Sequence, residues 1–260
     1  MKKIVKLLLA SGILVSSLFG CKKAYEGKFV LGLDASFPPM GFTEADGTIT
    51  GYDIDLAKEV SKRLNLEFVA KPINWEAKEL ELSSGSIDCI WNGFTMTEER
   101  LEKMAFTSAY LNNDQILVVR NDGTINSLKD AEGKVIGCQS GSSAEEAIND
   151  NKEFADSLKA VVYYEENLTA LTDLKVGSVD GVVMDSIVAR YMISTTKDDS
   201  LVVVDEPLAA EGYGIGFRKS DDGAKLRDDV WNTLLEMTKD GTVAKISNQW
   251  FGKDISVIGK

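Results

Sequence analysis

Residues 91–100 read WNGFTMTEER and follow a strand-like run, Ile87 to Ile90. Thr97 is a predicted helix N-cap, with Glu98 and Glu99 in the first turn and Arg100 at the third helical position. A cation so close to a helix N-terminus is disfavoured by the macrodipole by a few tenths of a kcal/mol, so something must compensate it. A carboxylate lodged between the guanidinium and nearby backbone amides would do so in fork-to-fork geometry. A surface ion pair with Glu98 or Glu102 would do so as well, and this stretch alone leaves both open. Gly93 permits close approach of a ligand and offers its carbonyl, while the Thr95 hydroxyl can serve either charge.

Two further stretches carry polar groups where ligands gather. CQSGSSAEE (138–146) follows a strand and opens a helix, so the amides of Ser142 and Ser143 are expected to face any anion seated there. VVMDS (182–186) puts Asp185 at the end of another strand, where it either binds an ammonium or caps the helix that follows. The sequence contains no histidine. That removes Ser-His and Cys-His nucleophile pairs and the commonest zinc and haem ligands, so no catalytic group, metal or cofactor is expected.

These groups must be positioned by elements that alternate in type. KFVLGL, LEFVAK and IDCIW read as strands, separated by helical patterns over Asp53–Leu64 and Glu76–Leu82. The rhythm resumes at KVIGC, AVVYY, VDGVVM and LVVV, with helices predicted over 143–149, 167–176 and 185–192. YGIGF and two helices, 225–237 and 242–250, close the chain. This is an α/β pattern with parallel pairing. Two extended runs interrupt it, YLNNDQILVVR and EGYGIGF, as if the chain left a first unit near 113 and returned near 212. Two lobes on a two-strand hinge follow from that reading, with residues 28–113 and 212–260 in lobe 1 and 114–211 in lobe 2. A single continuous sheet with a long meander is the alternative.

The first twenty residues read as an export signal: Lys2, Lys3 and Lys6 precede an apolar run from Leu7 to Phe19 that is too short to span a bilayer. The ending LFGC resembles a lipobox, which implies cleavage before Cys21, acylation of its thiol and a short tether over 21–27. A lipid-anchored protein facing the periplasm or cell exterior is expected. Removal of the signal leaves 26 basic against 41 acidic residues, a net charge of −15, which argues against nucleic acid or anionic lipid as a partner. Cys89 and Cys138 sit in apolar segments without framework spacing and are expected as buried thiols.

An Arg with amide donors and an Asp with carbonyl acceptors fit the two ends of an amino-acid zwitterion. The chain resembles the bacterial extracellular solute-binding proteins of family 3, through GYDIDLAKEV, SGSIDCIWNGFTMTEERLEKMAFTSAY, GKVIGCQSGSSAE, VGSVDGVVMD and YGIGFRK in that order. The resemblance implies a type II periplasmic-binding-protein fold with two lobes, each a mostly parallel sheet flanked by helices. It also implies a monomer that captures a polar amino acid and delivers it to an ABC permease. On it, the carboxylate-binding roles fall on Arg100, Thr95 and the Ser143 amide, and the ammonium-binding roles on the Gly93 carbonyl, Thr95 and Asp185. Asp34, Phe37 and Trp75 are placed around the ligand side chain, with Asn92, Gln139 and Ser142 completing the set. Phe37 and Trp75 either sandwich the ligand or simply pack in the lobe core. Gln139 stands where glutamine receptors of the family carry a Lys that pairs with Asp34. With a neutral Gln139, Asp34 is expected to lack a partner in the closed cleft and to select a cationic ligand, arginine first, ahead of cystine, glutamine or another polar amino acid. A ligand-sensing lipoprotein and a dehydratase or lyase on the same fold are the readings from other classes.

Overall fold

The computed structural model describes residues 27–196 and 199–260. The export signal, Cys21 and all of the tether except Gly27 lie outside the described residues. The chain opens with β1 (Lys28–Leu33), whose Phe29, Leu31 and Leu33 are fully buried, each contributing about 1.5–3 kcal/mol of apolar burial. Three short strands follow, β2 (Ser36–Phe37), β3 (Gly41–Thr43) and β4 (Ile49–Thr50), which pair among themselves as a small antiparallel sheet. That sheet was not legible in the sequence, because strands of two or three residues carry no periodicity.

Helix α1 (Tyr52–Leu64) has the predicted apolar face, with Ile54, Ala57, Val60, Ser61 and Leu64 all buried. It ends on Asn65 in the left-handed conformation, whose amide closes the last turn. Strand β5 (Glu67–Pro72) pairs parallel to β1. The helix predicted over 76–82 divides into a 3₁₀ turn, Trp75–Ala77, and α2 (Lys78–Ser83). Then come β6 (Cys89–Thr95), α3 (Glu98–Lys103) and β7 (Ala105–Phe106).

The long strand β8 (Leu111–Arg120) carries the chain into the second α/β unit. That unit contains β9 (Val135–Gln139), α4 (Ser143–Asp150), α5 (Lys152–Ser157), β10 (Ala160–Tyr164), α6 (Asn167–Val176), β11 (Gly181–Asp185), α7 (Ser186–Thr196) and β12 (Leu201–Val203). The last long strand, β13 (Ala209–Phe217), leads back, followed by α8 (Asp221–Lys239) and α9 (Thr242–Phe251). These closing helices pack beside α1: Arg63 bonds Asp240 at 2.6 Å, Trp250 donates to Asp55 at 2.9 Å, and Phe251 meets Tyr52 edge-on.

Sheet order resolves the choice between two lobes and one sheet by giving parts of both. Parallel strands lie at each end, β5-β1-β6 in the first half and β10-β9-β11 in the second. Between them β8 and β13 run antiparallel, pairing Leu111 with Tyr213 and Asn113 with Glu211. The hydrogen-bonded path is therefore continuous through the crossing strands. One apolar core correspondingly extends from Phe29 and Tyr52 to Val182 and Met184, while a separate cluster around Ile136 and Ile148 fills the second half.

Candidate functional site

Strand β6 is buried along its whole length, and it delivers Gly93 and Thr95 to the junction of the two halves. Gly93 has φ +57, a left-handed conformation that favours glycine. A Cβ there would lie 3.1 Å from the rings of both Phe37 and Tyr213. The Gly93 amide donates to Asp53 Oδ2 at 2.7 Å, and the Tyr110 hydroxyl donates to the same oxygen at 2.8 Å. Asp53 is completely buried in the first turn of α1, and burial pushes its carboxyl up to about 7. It is a positioning residue that the sequence reading missed, although it stands inside GYDIDLAKEV.

Thr97 caps α3 as predicted, accepting from the Arg100 amide. Arg100 is 5% exposed. Its guanidinium sits 4.5 Å over the Phe94 ring and donates to the Thr95 carbonyl at 3.0 Å and the Gly141 carbonyl at 3.3 Å. Those bonds engage two of its five N–H groups. The surface ion pair is thereby overturned: among the described residues neither Glu98 nor Glu102 pairs with Arg100, which burial holds below its usual basicity.

From the other half, Gly141 turns the chain with φ +66 and Ser142 caps α4. The expectation for Ser142 needs correcting. Its amide is directed at the Gln139 carbonyl, 3.4 Å away, because the turn folds back on the strand it leaves. The Ser143 amide belongs to the first turn of α4, where N–H groups have no intrahelical acceptor. The Ser143 hydroxyl donates to Thr95 Oγ1 at 3.0 Å. Asp185 is the last residue of β11, and α7 begins after it. Its Oδ1 accepts from the Tyr213 hydroxyl at 2.7 Å and Asn113 Nδ2 at 2.8 Å, both on the crossing strands. Burial first, then the negative charge of Glu211, raises its carboxyl to about 7.

A narrow, nearly closed cleft lies between these groups. Asp34, Phe37, Trp75, Asn92, Gly93 and Arg100 line it from one half, and Gln139, Ser142, Ser143 and Asp185 from the other. Thr95 stands behind that lining, its hydroxyl donating to Glu211 Oε2 at 2.9 Å. Phe37 belongs to the main core and Trp75 meets Phe94 edge-on at 5.7 Å, yet each also borders the cleft. Cys89 and Cys138 are buried free thiols.

The expectation of an unpartnered Asp34 fails. Gln139 Nε2 reaches across the cleft to Asp34 Oδ2 at 2.7 Å, and Ser36 supplies an amide and a hydroxyl to Oδ1. Neutral donors solvate the carboxylate, so the cost attributed to its isolation largely disappears. Lys78 was also missed. It is 4% exposed, donates to the Gly141 carbonyl across the cleft at 2.8 Å, and is brought down to about 8 by burial and by the Arg100 charge. Together with Ser140 on Glu76 at 2.6 Å, these bonds draw the two halves into direct contact.

The family described as bacterial extracellular solute-binding proteins, family 3, matches residues 29–253. The L-cystine-binding protein TcyJ of Escherichia coli (strain K12) is 32% identical over 232 residues, 88% of this chain and 85% of that protein. The ABC transporter arginine-binding protein 1 of the same strain is 30% identical over 250 residues, 95% of this chain and 99% of that one. An ABC uptake transporter substrate-binding protein from Streptococcus pneumoniae, solved with bound histidine, superposes with a TM-score of 0.84 at 35% identity, covering 88% of this chain and 94% of that chain.

Proposed function

The chain belongs to the bacterial extracellular solute-binding proteins of family 3, and from that premise we propose that it captures a polar L-amino acid between two lobes and hands it to a membrane permease of an ABC importer. Lobe 1 comprises 28–113 and 212–260, and lobe 2 comprises 114–211. Arg100 holds the ligand carboxylate with the Ser143 amide and the Thr95 hydroxyl. Asp185 holds the ammonium with the Gly93 carbonyl, and Phe37 and Trp75 flank the side chain. The observation that carries this reading is that a buried guanidinium and a buried carboxylate border one cleft from opposite halves of the molecule.

A cationic amino acid, arginine first, is favoured. Asp34 borders the cleft together with Trp75, and an aromatic face beside a carboxylate suits an extended cation. Relatives named for cystine, arginine and histidine mark the range within which the ligand falls. Charge-assisted hydrogen bonds at about 1.5–3 kcal/mol each readily supply the roughly 8 kcal/mol of a micromolar complex. The remainder offsets ligand immobilisation and lobe closure. Export and acylation of Cys21 would keep the receptor at the membrane beside its permease.

A thermal-shift screen against the twenty amino acids, ornithine, citrulline and cystine tests the reading. The true ligand raises the melting temperature in step with RT ln(1 + [L]/Kd). Stabilisation by glutamine alone would end the cationic preference, and no shift with any of them would end the amino-acid reading.

A further inference from the structure

Glu211 takes no part in the clamp described above, yet its carboxylate lies at the clamp's ammonium pole. It stands on β13 opposite Asn113 of β8, where the two crossing strands pair. Its Oε2 accepts from Thr95 Oγ1 at 2.9 Å, Gln115 Nε2 at 3.0 Å and Asn113 Nδ2 at 3.2 Å. Asn113 Nδ2 also donates to Asp185 Oδ1 at 2.8 Å, so the two acid oxygens lie within about 6 Å of each other. An ammonium donating to two carboxylates at ordinary hydrogen-bond lengths spans a gap of that order.

The surroundings lack the cation such a pair demands. Two carboxylates brought together, Asp185 buried and Glu211 half-buried, repel unless a positive charge or a proton joins them. Arg100, whose charge reaches both acids, gives two of its N–H groups to backbone carbonyls and forms no ion pair within 4 Å among the described residues. Lys78 is engaged at the Gly141 carbonyl. A second observation points the same way. Gln115 is completely buried, and its Oε1, on the same amide group whose nitrogen holds Glu211, has no hydrogen-bond partner. A buried acceptor beside two acids calls for a donor with several N–H groups.

Resting on the amino-acid reading above, we infer that Glu211 is the second carboxylate of the ammonium seat, and that it makes the clamp itself a receptor for α-amino acids with a free, fully charged amino group and net positive charge. Arg100 neutralises one of the two acids facing it, and a cationic amino acid neutralises the other. Glu211 thus selects for charge from the hinge. The remaining charged or titratable groups facing the pair are Arg100 of α3 and Tyr213 of β13.

Isothermal titration of the full mature chain with L-arginine, L-glutamine and L-cystine tests this, comparing wild type with Glu211→Gln and Glu211→Ala. The amino acid that wild type takes up is expected to bind at least tenfold more weakly to both variants. Wild-type affinity should fall between pH 8 and pH 5.5, as Asp185, raised to about 7 by burial and by the Glu211 charge, takes up a proton that the ammonium must expel, and Glu211→Gln should shift that profile to lower pH. Unchanged or tighter binding in the variants overturns the inference and makes Glu211 a plug that the ligand displaces. A wild type that takes glutamine or cystine in preference to arginine overturns the net-charge inference, and one that takes no amino acid in the thermal-shift screen refutes the amino-acid reading, and the ammonium seat with it.

Discussion

The two halves of the cleft hold their polar groups in different ways. On the side of β6 and α3, the main fastenings come from within the same half, although Arg100 also reaches the Gly141 carbonyl. Asp53 and Tyr110 secure the Gly93 amide, Thr97 caps α3, and Phe94 underlies the Arg100 guanidinium. On the side of α4, the polar groups spend their bonds across the gap: Ser143 on Thr95, Gln139 on Asp34, and the Gly141 carbonyl on Lys78 and Arg100. The bonds within the first half involve no residue of the second, whereas the second half adds to its internal bonds, such as Gln115 to Ser143 and Gln139 to Glu165, others that need the two halves in contact. Affinity should therefore reside mainly in the first half and the lifetime of the complex mainly in the second.

The sharpest way to break this contrast is Arg100→Ala. It should weaken amino-acid binding at least a hundredfold in calorimetry, because it removes the only buried guanidinium among the described residues; affinity within about threefold of wild type would sink the clamp. Next comes Gly93→Ala, which forces a Cβ into a left-handed position against Phe37 and Tyr213. At about 1–2 kcal/mol of strain, the melting temperature should drop by roughly 2–8 °C, with binding weakened alongside.

Lys78→Met separates the halves more gently. It keeps much of the volume but removes the donor to Gly141, so affinity should fall by about three- to tenfold through a faster off-rate in stopped-flow measurements. An unchanged off-rate would show that closure does not depend on that bond. Asp53→Asn gives the smallest effect. The folded Asp53 holds its proton up to about pH 7, well above the ordinary aspartate value of 3.8, so between those values the native chain binds more protons than the unfolded one. This contribution to stability is complete below the unfolded value and is lost as pH rises through about 7. Acidifying from pH 7 to pH 4 should raise the wild-type melting temperature relative to Asp53→Asn by a few degrees, and parallel curves would refute the assignment.

Much of the architecture was legible because it is written locally. The apolar face of α1, the cap at Thr97 and the strand that ends at Asp185 all follow from spacings of two to four residues. Lys78 reads in the sequence as one more lysine on a charged helix, and only the approach of Gly141, 63 positions away, turns it into a buried donor. Gln139 likewise reads as a neutral residue that leaves Asp34 alone, yet its amide crosses 105 positions to supply the missing partner.

Glu211 marks the boundary most clearly. As a single acid in an extended run it carries no local signal, and its meaning comes from Thr95, 116 positions earlier, and Asn113, 98 positions earlier. Residue types and short-range periodicity determined which elements form and which charges are available. The antiparallel register of β8 against β13 decided which of those charges meet, since strand pairing depends on the packing of both halves and not on any one segment.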